Sequence, residues 1–509
     1  MAVTGFALVS VVLILFLLYW FLTKTFNHWE KCNIPYLRNA IPGFGHLLPL
    51  LTLRENIALF SNRVYKMSDS SMTGFYFLRQ PALLVRDPEL IKSILLSNFS
   101  SFRNNGIVLN EDADPVLSKN PFFTGDYQAW KIARARVSNN LSKLKLNYLF
   151  VIVNDVISKM VDFIDKKIEK DGSVYECELK KEFSRYTGEV VANAAFAING
   201  QSFSDNPDKL AFTNVANTLF DTNFINGIKQ MLIFFLPNVA RLLRVNFLQK
   251  STDLYLRENL KAIIKQRKQE NSQPKDFLQF CIDSNTEDNI DGIISDVIVF
   301  YLDVLETTST VLSILFYHLS ENPDVQEKLR AHVNSVLKET DGVLTFESLK
   351  NMDYLEATLN ESLRLLPPFG VLTKFCTKEI TLTGSDNLSC VLRPDDRIFI
   401  SLNGLHSDSK YWPEPHIFNP ERFTKENQNN ITKFTFLGFG EGPRICAGMR
   451  FAMILVKVAT ATLLSKYSIE HSQKTKLPFQ FVTTSFITYI QGGLWAKVRK
   501  LSESNENDV

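Results

Sequence analysis

Cysteine and histidine are scarce in this chain, and their placement narrows its chemistry. Six cysteines are scattered through 509 residues, at Cys32, Cys177, Cys281, Cys376, Cys390 and Cys446. No two stand as C-x-x-C, which excludes a dense disulfide framework and a thiol redox pair and fits free thiols in a reducing compartment. The seven histidines form no H-E-x-x-H or comparable metal-ligand spacing, so a zinc site of the usual kinds is excluded. Charge of one sign is lacking as well. With 56 Lys and Arg against 54 Asp and Glu the net charge is +2, which leaves no electrostatic footprint for nucleic acid. No internal repeat or low-complexity linker divides residues 46–497.

Apolar surface is plentiful. Hydrophobic residues make up 45% of the chain and 40 residues are Phe, which points to a large interior with room for an apolar ligand. The densest run, Gly5 to Leu22, is interrupted only by Ser10. It has roughly the 18 to 20 residues that a helix needs to span a bilayer. Lys24 and Lys31 follow it and no acidic residue precedes it, so the positive flank puts the body of the protein on the cytosolic side. A cleaved signal peptide would have a shorter apolar core followed by small residues, whereas bulky TKTFNHWEK follows here. Residues 1–26 are therefore read as a membrane anchor, 27–45 as a Pro/Gly hinge, 46–497 as the body and 498–509 as a polar tail.

The body reads as mainly helical with a small sheet near each end. Gly74–Phe77 and Ala82–Val85 look like paired strands, and Asp87-Pro88-Glu89 opens a helix with Asp as N-cap and Pro first. Helical periodicity dominates from Leu144 to about Lys268. Within it, Met231–Pro237 (MLIFFLP) is too apolar to be left in water; it is either core packing or a second membrane contact near a substrate entrance. Further helices are predicted over Ile293–Leu319, ending before Asn322-Pro323, and over Tyr354–Leu366, stopping at Pro367-Pro368. A last helix covers Met449–Lys466, with strand-like segments between Phe481 and Ala496.

The most informative stretch is FGEGPRICAG, from Phe439 to Gly448. Its glycines allow a tight loop and let backbone amides approach a buried anion. A helix begins just after Cys446, and its N-terminal dipole and N–H groups favour a thiolate over a thiol. A structural Cys in a Gly-rich turn would explain one glycine but not the whole spacing.

That stretch is similar, position for position, to the F-G-x-G-x-R-x-C-x-G signature of cytochromes P-450, a very specific motif. The resemblance covers essentially the whole chain after the anchor. It is closest to insect microsomal members of the detoxification type (families six and twenty-eight), through the hinge, Asp87-Pro88-Glu89-Leu90-Ile91-Lys92 and Gly442–Cys446. It implies the cytochrome P-450 fold, mainly α with a small β-sheet region, behind a single N-terminal transmembrane helix. It also implies a heme b whose iron takes Cys446 as axial thiolate, a ligation general to that family. Phe439 and Gly440 belong to the same heme-binding loop, and Arg444 would pair with a heme propionate. Trp130 and Arg134 match the family's W-x-x-x-R helix, whose indole N–H and guanidinium reach the propionates. Lys374 stands where an Arg commonly makes that contact, and Asn105 where insect relatives often have another Arg; both departures loosen the clamp. Glu361 and Arg364, i and i+3 on one helical face, match E-x-x-R, and Arg422 resembles the third partner of that buried network.

Glu306-Thr307 fits the family's acid–alcohol pair, with Thr307 bonding dioxygen and Glu306 relaying protons. The bland reading of Thr307 is a hydroxyl bonded back to its own helix. The family's usual pair of small residues is replaced by Asp303-Val304, and a valine there would narrow the groove for dioxygen. Asp303 lies four residues before Thr307, on the same face. A buried carboxylate there is costly unless paired or protonated. Two readings stay open: Asp303 pairs with a cationic substrate such as an alkaloid amine, or it is a protonated or water-bonded group that tunes proton delivery.

The expected reaction inserts one oxygen atom from O2 into a lipophilic substrate: a plant toxin, an insecticide, or an insect hormone or lipid. Electrons would come from NADPH through NADPH-cytochrome reductase, with a cytochrome b-type donor as a further partner, at the cytosolic face of the endoplasmic reticulum membrane. Phe486-Ile487, the loop Val108–Phe123 and Val371-Leu372 are expected to line the pocket. The altered groove residues keep open a reductase-independent use of hydroperoxides on the same scaffold. A non-catalytic heme-thiolate binder is a further alternative, and the retained Glu306-Thr307 argues against it.

Overall fold

A computed structural model describes residues 2–107, 109–204, 222–270, 273–285 and 289–501. Val108, residues 205–221 of the expected helical stretch, and the tail from Ser502 lie outside the described residues. The chain divides into two compact units, one formed by residues 1–106, 369–413 and 432–445, the other by 107–368, 414–431 and 446–509.

The first unit starts with the helix Ala2–Thr23. From Thr4 to Thr23 it is long and apolar enough to cross a membrane, and none of that span is buried in protein. Such a surface is stable in hydrocarbon rather than water. Behind it stands a four-stranded sheet in the order Met72–Phe77, Gln80–Val85, Arg397–Ser401, Val371–Phe375. The first two strands form the expected hairpin, with Met72 opposite Val85. The third joins in parallel, Ala82 beside Arg397. Phe75 packs between Phe60 and Phe399, with ring centroids at 5.4 and 5.1 Å. Asp87 caps the helix Pro88–Lys92, its Oδ1 accepting from the Glu89 N–H at 2.9 Å. Residues 27–45, expected as a hinge, are laid onto this sheet: Trp29 is 1% exposed and its indole N–H donates to the Phe75 carbonyl at 2.9 Å.

The second unit is built around the helix Ile290–Glu321, hereafter the central helix, which is apolar on nearly all sides and therefore buried. Several of its hydroxyls bond back to the helix itself: Ser309 donates to the Leu305 carbonyl and Thr310 to that of Glu306. Asn289 caps its start and Asn322-Pro323 ends it, because Pro323 opens the next helix, Pro323–Lys338. Against it lies the helix Leu179–Phe196, where the Thr187 hydroxyl donates to the Leu305 carbonyl at 3.0 Å.

Two segments differ from the sequence expectation. A strand, Val174–Glu178, interrupts the stretch read as continuously helical. The helix Lys143–Asp171 stops at Gly172, and the alternating V-Y-E-C-E then pairs antiparallel with Trp495–Lys500. Strand structure around Phe481–Ala496 shrinks to a bridge between Phe481 and Ile490, and the real strand runs past 497 to Lys500. In both cases a partner distant in sequence decides the local structure.

Met231–Pro237 also resolves in detail. The helix Phe224–Phe235 buries Ile233, and the ring of Phe234 meets Phe486 at 4.9 Å, so this stretch packs inward. The exposed apolar side chains flank it: Phe224 (66%), Ile225 (67%), Leu242 (82%) and Leu243 (61%).

The helix Asp353–Leu365 carries the buried ion network of this unit. Glu361 and Arg364 have no exposed side-chain surface and form two hydrogen bonds, at 2.7 and 2.8 Å. Arg364 also donates to the carbonyls of Pro415 and Ile417, and the Asn419 N–H donates to Glu361. Arg422 Nε approaches Glu361 at 3.4 Å but without hydrogen-bond geometry.

Candidate functional site

In the second unit the helix Met449–Leu464 begins just after Cys446, capped by Gly448. The Cys446 sulfur accepts from the backbone N–H groups of Gly448 and Met449. It presents surface to an open space although protein surrounds it. Burial pushes its thiol above the ordinary range; Asp303 adds to that shift, while the two N–H groups and Arg134 oppose it. The N–H groups at the helix start thus favour the thiolate, as expected, while burial opposes it. An ionised sulfur at this place calls for a cation bound to it, which a coordinated metal supplies. Among the described residues no cluster of three potential metal-ligating side chains exists. Cys446 therefore suits a metal whose other ligands come from a prosthetic group.

Trp130 and Arg134 lie one turn apart on the helix Tyr127–Asn140. Trp130 is 6% exposed and stacks on Tyr127. Burial holds the Arg134 guanidinium below its usual range, and the Cys446 sulfur partly offsets this.

On the central helix protein surrounds Asp303, although its side chain presents surface to an open space. Asn120 Nδ2 donates to both of its oxygens, at 3.1 and 3.3 Å. Burial pushes the Asp303 carboxyl up to about 7, against the pull of Asn120. The Thr307 hydroxyl donates to the Asp303 backbone carbonyl, the bland arrangement foreseen for it. Val304 is buried. Glu306 is 5% exposed and turns elsewhere. Its carboxylate meets Lys180 Nζ at 2.6 Å and accepts from the Tyr489 hydroxyl. These groups line a cavity of about 410 Å³ together with Glu178, Thr310 and Ser313.

The first unit gathers a different set. The loop from Phe439 passes through Gly440 and Gly442, both at positive φ. At Gly442 a Cβ would stand 2.0 Å from the Leu95 carbonyl oxygen, so only glycine fits. Arg444 Nε donates to the Arg103 carbonyl at 3.0 Å. Lys374 is 5% exposed and donates to Asn105 Oδ1 at 2.7 Å. Burial, and then the charge of Arg444, lower its ammonium to about 7. Two neighbouring cations in a desolvated place are stabilised by an anion, and heme propionates are of the right sign. Asn105, noted in the sequence only as a missing Arg, turns out to be the residue that orients Lys374.

The family model for Cytochrome P450 matches residues 35–495. The chain belongs to this family. Among curated relatives, Cytochrome P450 9e2 of Blattella germanica is 31% identical, with 96% of each chain covered. Probable cytochrome P450 6d5 of Drosophila melanogaster is 30% identical over 91% of this chain and 94% of its own. Probable cytochrome P450 28d1 of the same fly is 30% identical over 96% and 97%. As a P450 the protein is an oxidoreductase, a heme-thiolate monooxygenase with a mainly helical fold and small sheets, and its apolar N-terminal helix fits a membrane anchor. P450 enzymes work with redox partners such as a reductase and act on lipophilic substrates.

Three partners of these side chains escaped the sequence reading. Asn120 lies in the loop expected to line the pocket, but nothing local marks it as the partner of Asp303. Lys180 and Tyr489 meet Glu306 across long sequence separations and carry no motif.

Proposed function

We propose that Cys446 is the axial ligand of a heme b, with Arg444, Lys374, Trp130 and Arg134 holding its propionates and Phe439 and Gly440 shaping the loop beneath it. The observation that carries this reading is the Cys446 sulfur, accessible yet deep, at a helix start and receiving two N–H groups. When bound, the heme supplies dioxygen binding and its reductive activation. This chain's own residues then exclude water, orient the substrate and deliver protons. Lipophilic substrates such as plant toxins, insecticides or insect hormones and lipids suit the Phe-rich interior. Phe486-Ile487 and the loop ending at Phe123 line the substrate space, as does Val371-Leu372. Electrons come from NADPH through NADPH-cytochrome reductase, with a cytochrome b-type protein as a second donor, at the cytosolic face of the endoplasmic reticulum. The exposed apolar side chains from Phe224 to Leu243 support a second membrane contact in addition to the anchor.

The test is reconstitution in lipid with NADPH-cytochrome reductase and a panel of lipophilic substrates. Oxygenated product that requires NADPH and reductase is expected. Turnover driven only by added hydroperoxide would favour the reductase-independent alternative, and no product from a broad panel would favour a ligand-binding protein.

A further inference from the structure

Tertiary contacts, rather than helical spacing, divide the polar residues of the central helix into two stripes. Asp303 and Thr307, four apart, share one; Glu306, Thr310 and Ser313 share the other. The second stripe faces the cavity that holds Lys180 and Tyr489. There Glu306 is bound to an ammonium at 2.6 Å and to a phenol. To donate toward Thr307 it would first have to break both contacts.

The first stripe is arranged in the opposite sense. The Asp303 carboxyl faces open space, and its charge acts on the Cys446 sulfur, so the two share one neighbourhood. Its orientation is fixed by Asn120, which is 1% exposed. The Asn120 oxygen accepts from the Phe122 N–H at 2.7 Å, which leaves the NH2 group to bridge both Asp303 oxygens. Among the described residues, the groups acting on the Asp303 charge are Asn120 and Cys446, and neither is a cation. A carboxyl in that setting keeps its proton near neutrality.

We propose that Asp303, and not Glu306, is the acid that delivers the proton for oxygen activation, with Asn120 as its positioning residue. This rests on the heme-thiolate reading of Cys446. In the step, the O–H bond of the neutral Asp303 carboxyl breaks and its proton passes to an oxygen atom derived from dioxygen. The electrons are those the monooxygenase reaction already draws from its redox partner. The carboxylate left behind is re-protonated from water, with the Thr307 hydroxyl one turn away as a relay.

The experiment compares wild type with Asp303→Asn, Asp303→Ala, Glu306→Gln and Lys180→Met in the full-length holoenzyme. Two readouts are taken: product formed per NADPH with its solvent deuterium isotope effect, and the infrared C–O stretch of the reduced carbon monoxide complex. Asp303→Asn is expected to lower product formation on the order of a hundredfold and to divert electrons to peroxide, while Glu306→Gln and Lys180→Met stay within about threefold. Asp303→Ala is expected to shift the C–O stretch, and Glu306→Gln to leave it in place. Wild-type coupling in Asp303→Asn, or a C–O stretch that moves with Glu306→Gln and not with Asp303→Ala, would overturn the proposal. So would a preference for an amine over its neutral isostere that Asp303→Asn abolishes without loss of rate, since the carboxylate would then serve a cationic substrate. Absence of any carbon monoxide complex in wild type would instead remove the heme-thiolate reading underneath.

Discussion

Replacing Arg364 with alanine should be among the most damaging single changes outside the cysteine loop. Arg364 and Glu361 are fully desolvated, and Arg364 makes hydrogen bonds to Glu361 at 2.7 and 2.8 Å and to the carbonyls of Pro415 and Ile417 at 2.8 and 3.3 Å. Truncation leaves a buried carboxylate whose remaining partners are the Asn419 N–H and a misaligned Arg422. Breaking a buried pair in this way costs about 3–5 kcal/mol. Arg422→Ala should cost no more than about 1 kcal/mol, because its contact with Glu361 lacks hydrogen-bond geometry. The assay is denaturant unfolding of the full-length protein in detergent, followed by tryptophan fluorescence. Where refolding fails, the rate of loss of the heme Soret band at fixed temperature replaces it. Equal costs for the two arginine variants, or a cost below about 1 kcal/mol for Arg364→Ala, would refute the reasoning.

Other predictions follow from single contacts. Gly442→Ala, which drives a Cβ to 2.0 Å from the Leu95 carbonyl oxygen, should cost about 3 kcal/mol or more, whereas Gly172→Ala, at φ 78° with open space around it, should cost about 1 kcal/mol. Thermal unfolding of the two variants checks the contrast. Burial holds the His318 imidazole down to about 3, with Arg364 adding to this, so the unfolded chain takes up a proton that the folded protein refuses. Stability should therefore be intact above the ordinary histidine value of 6.5 and fall toward pH 3, by about 1.4 kcal/mol per pH unit. Unfolding free energies of His318→Gln across that window should have a shallower slope. Deletion of residues 1–26 should weaken vesicle binding without abolishing it, and adding Leu242→Asp and Leu243→Asp should release the protein; full release by the deletion alone would exclude the second contact.

The parts of this protein legible in its sequence are those whose chemistry is consecutive. Phe439 to Gly448 carries its glycines, cation and sulfur in ten residues. The apolar run of the anchor, the Asp87-Pro88 cap and the Asn322-Pro323 stop are equally local. The strand Val174–Glu178 was not legible, because its partner Trp495–Lys500 lies at the far end of the chain. The burial of Cys446 was not legible either, because burial is a tertiary quantity that a helix start read alone does not show. Glu306 shows both limits. Its residue type and place before Thr307 suggest a proton relay, yet the ion pair with Lys180 that turns it aside depends on a helix more than a hundred residues earlier.

The central claim is that the sulfur of Cys446 ligates heme iron, and the reduced carbon monoxide difference spectrum tests it most directly. Wild-type protein and Cys376→Ser should both give the Soret band of a thiolate-ligated complex, and Cys446→Ser should lose it. An unchanged band in Cys446→Ser, or no bound heme in the wild type, would contradict the account.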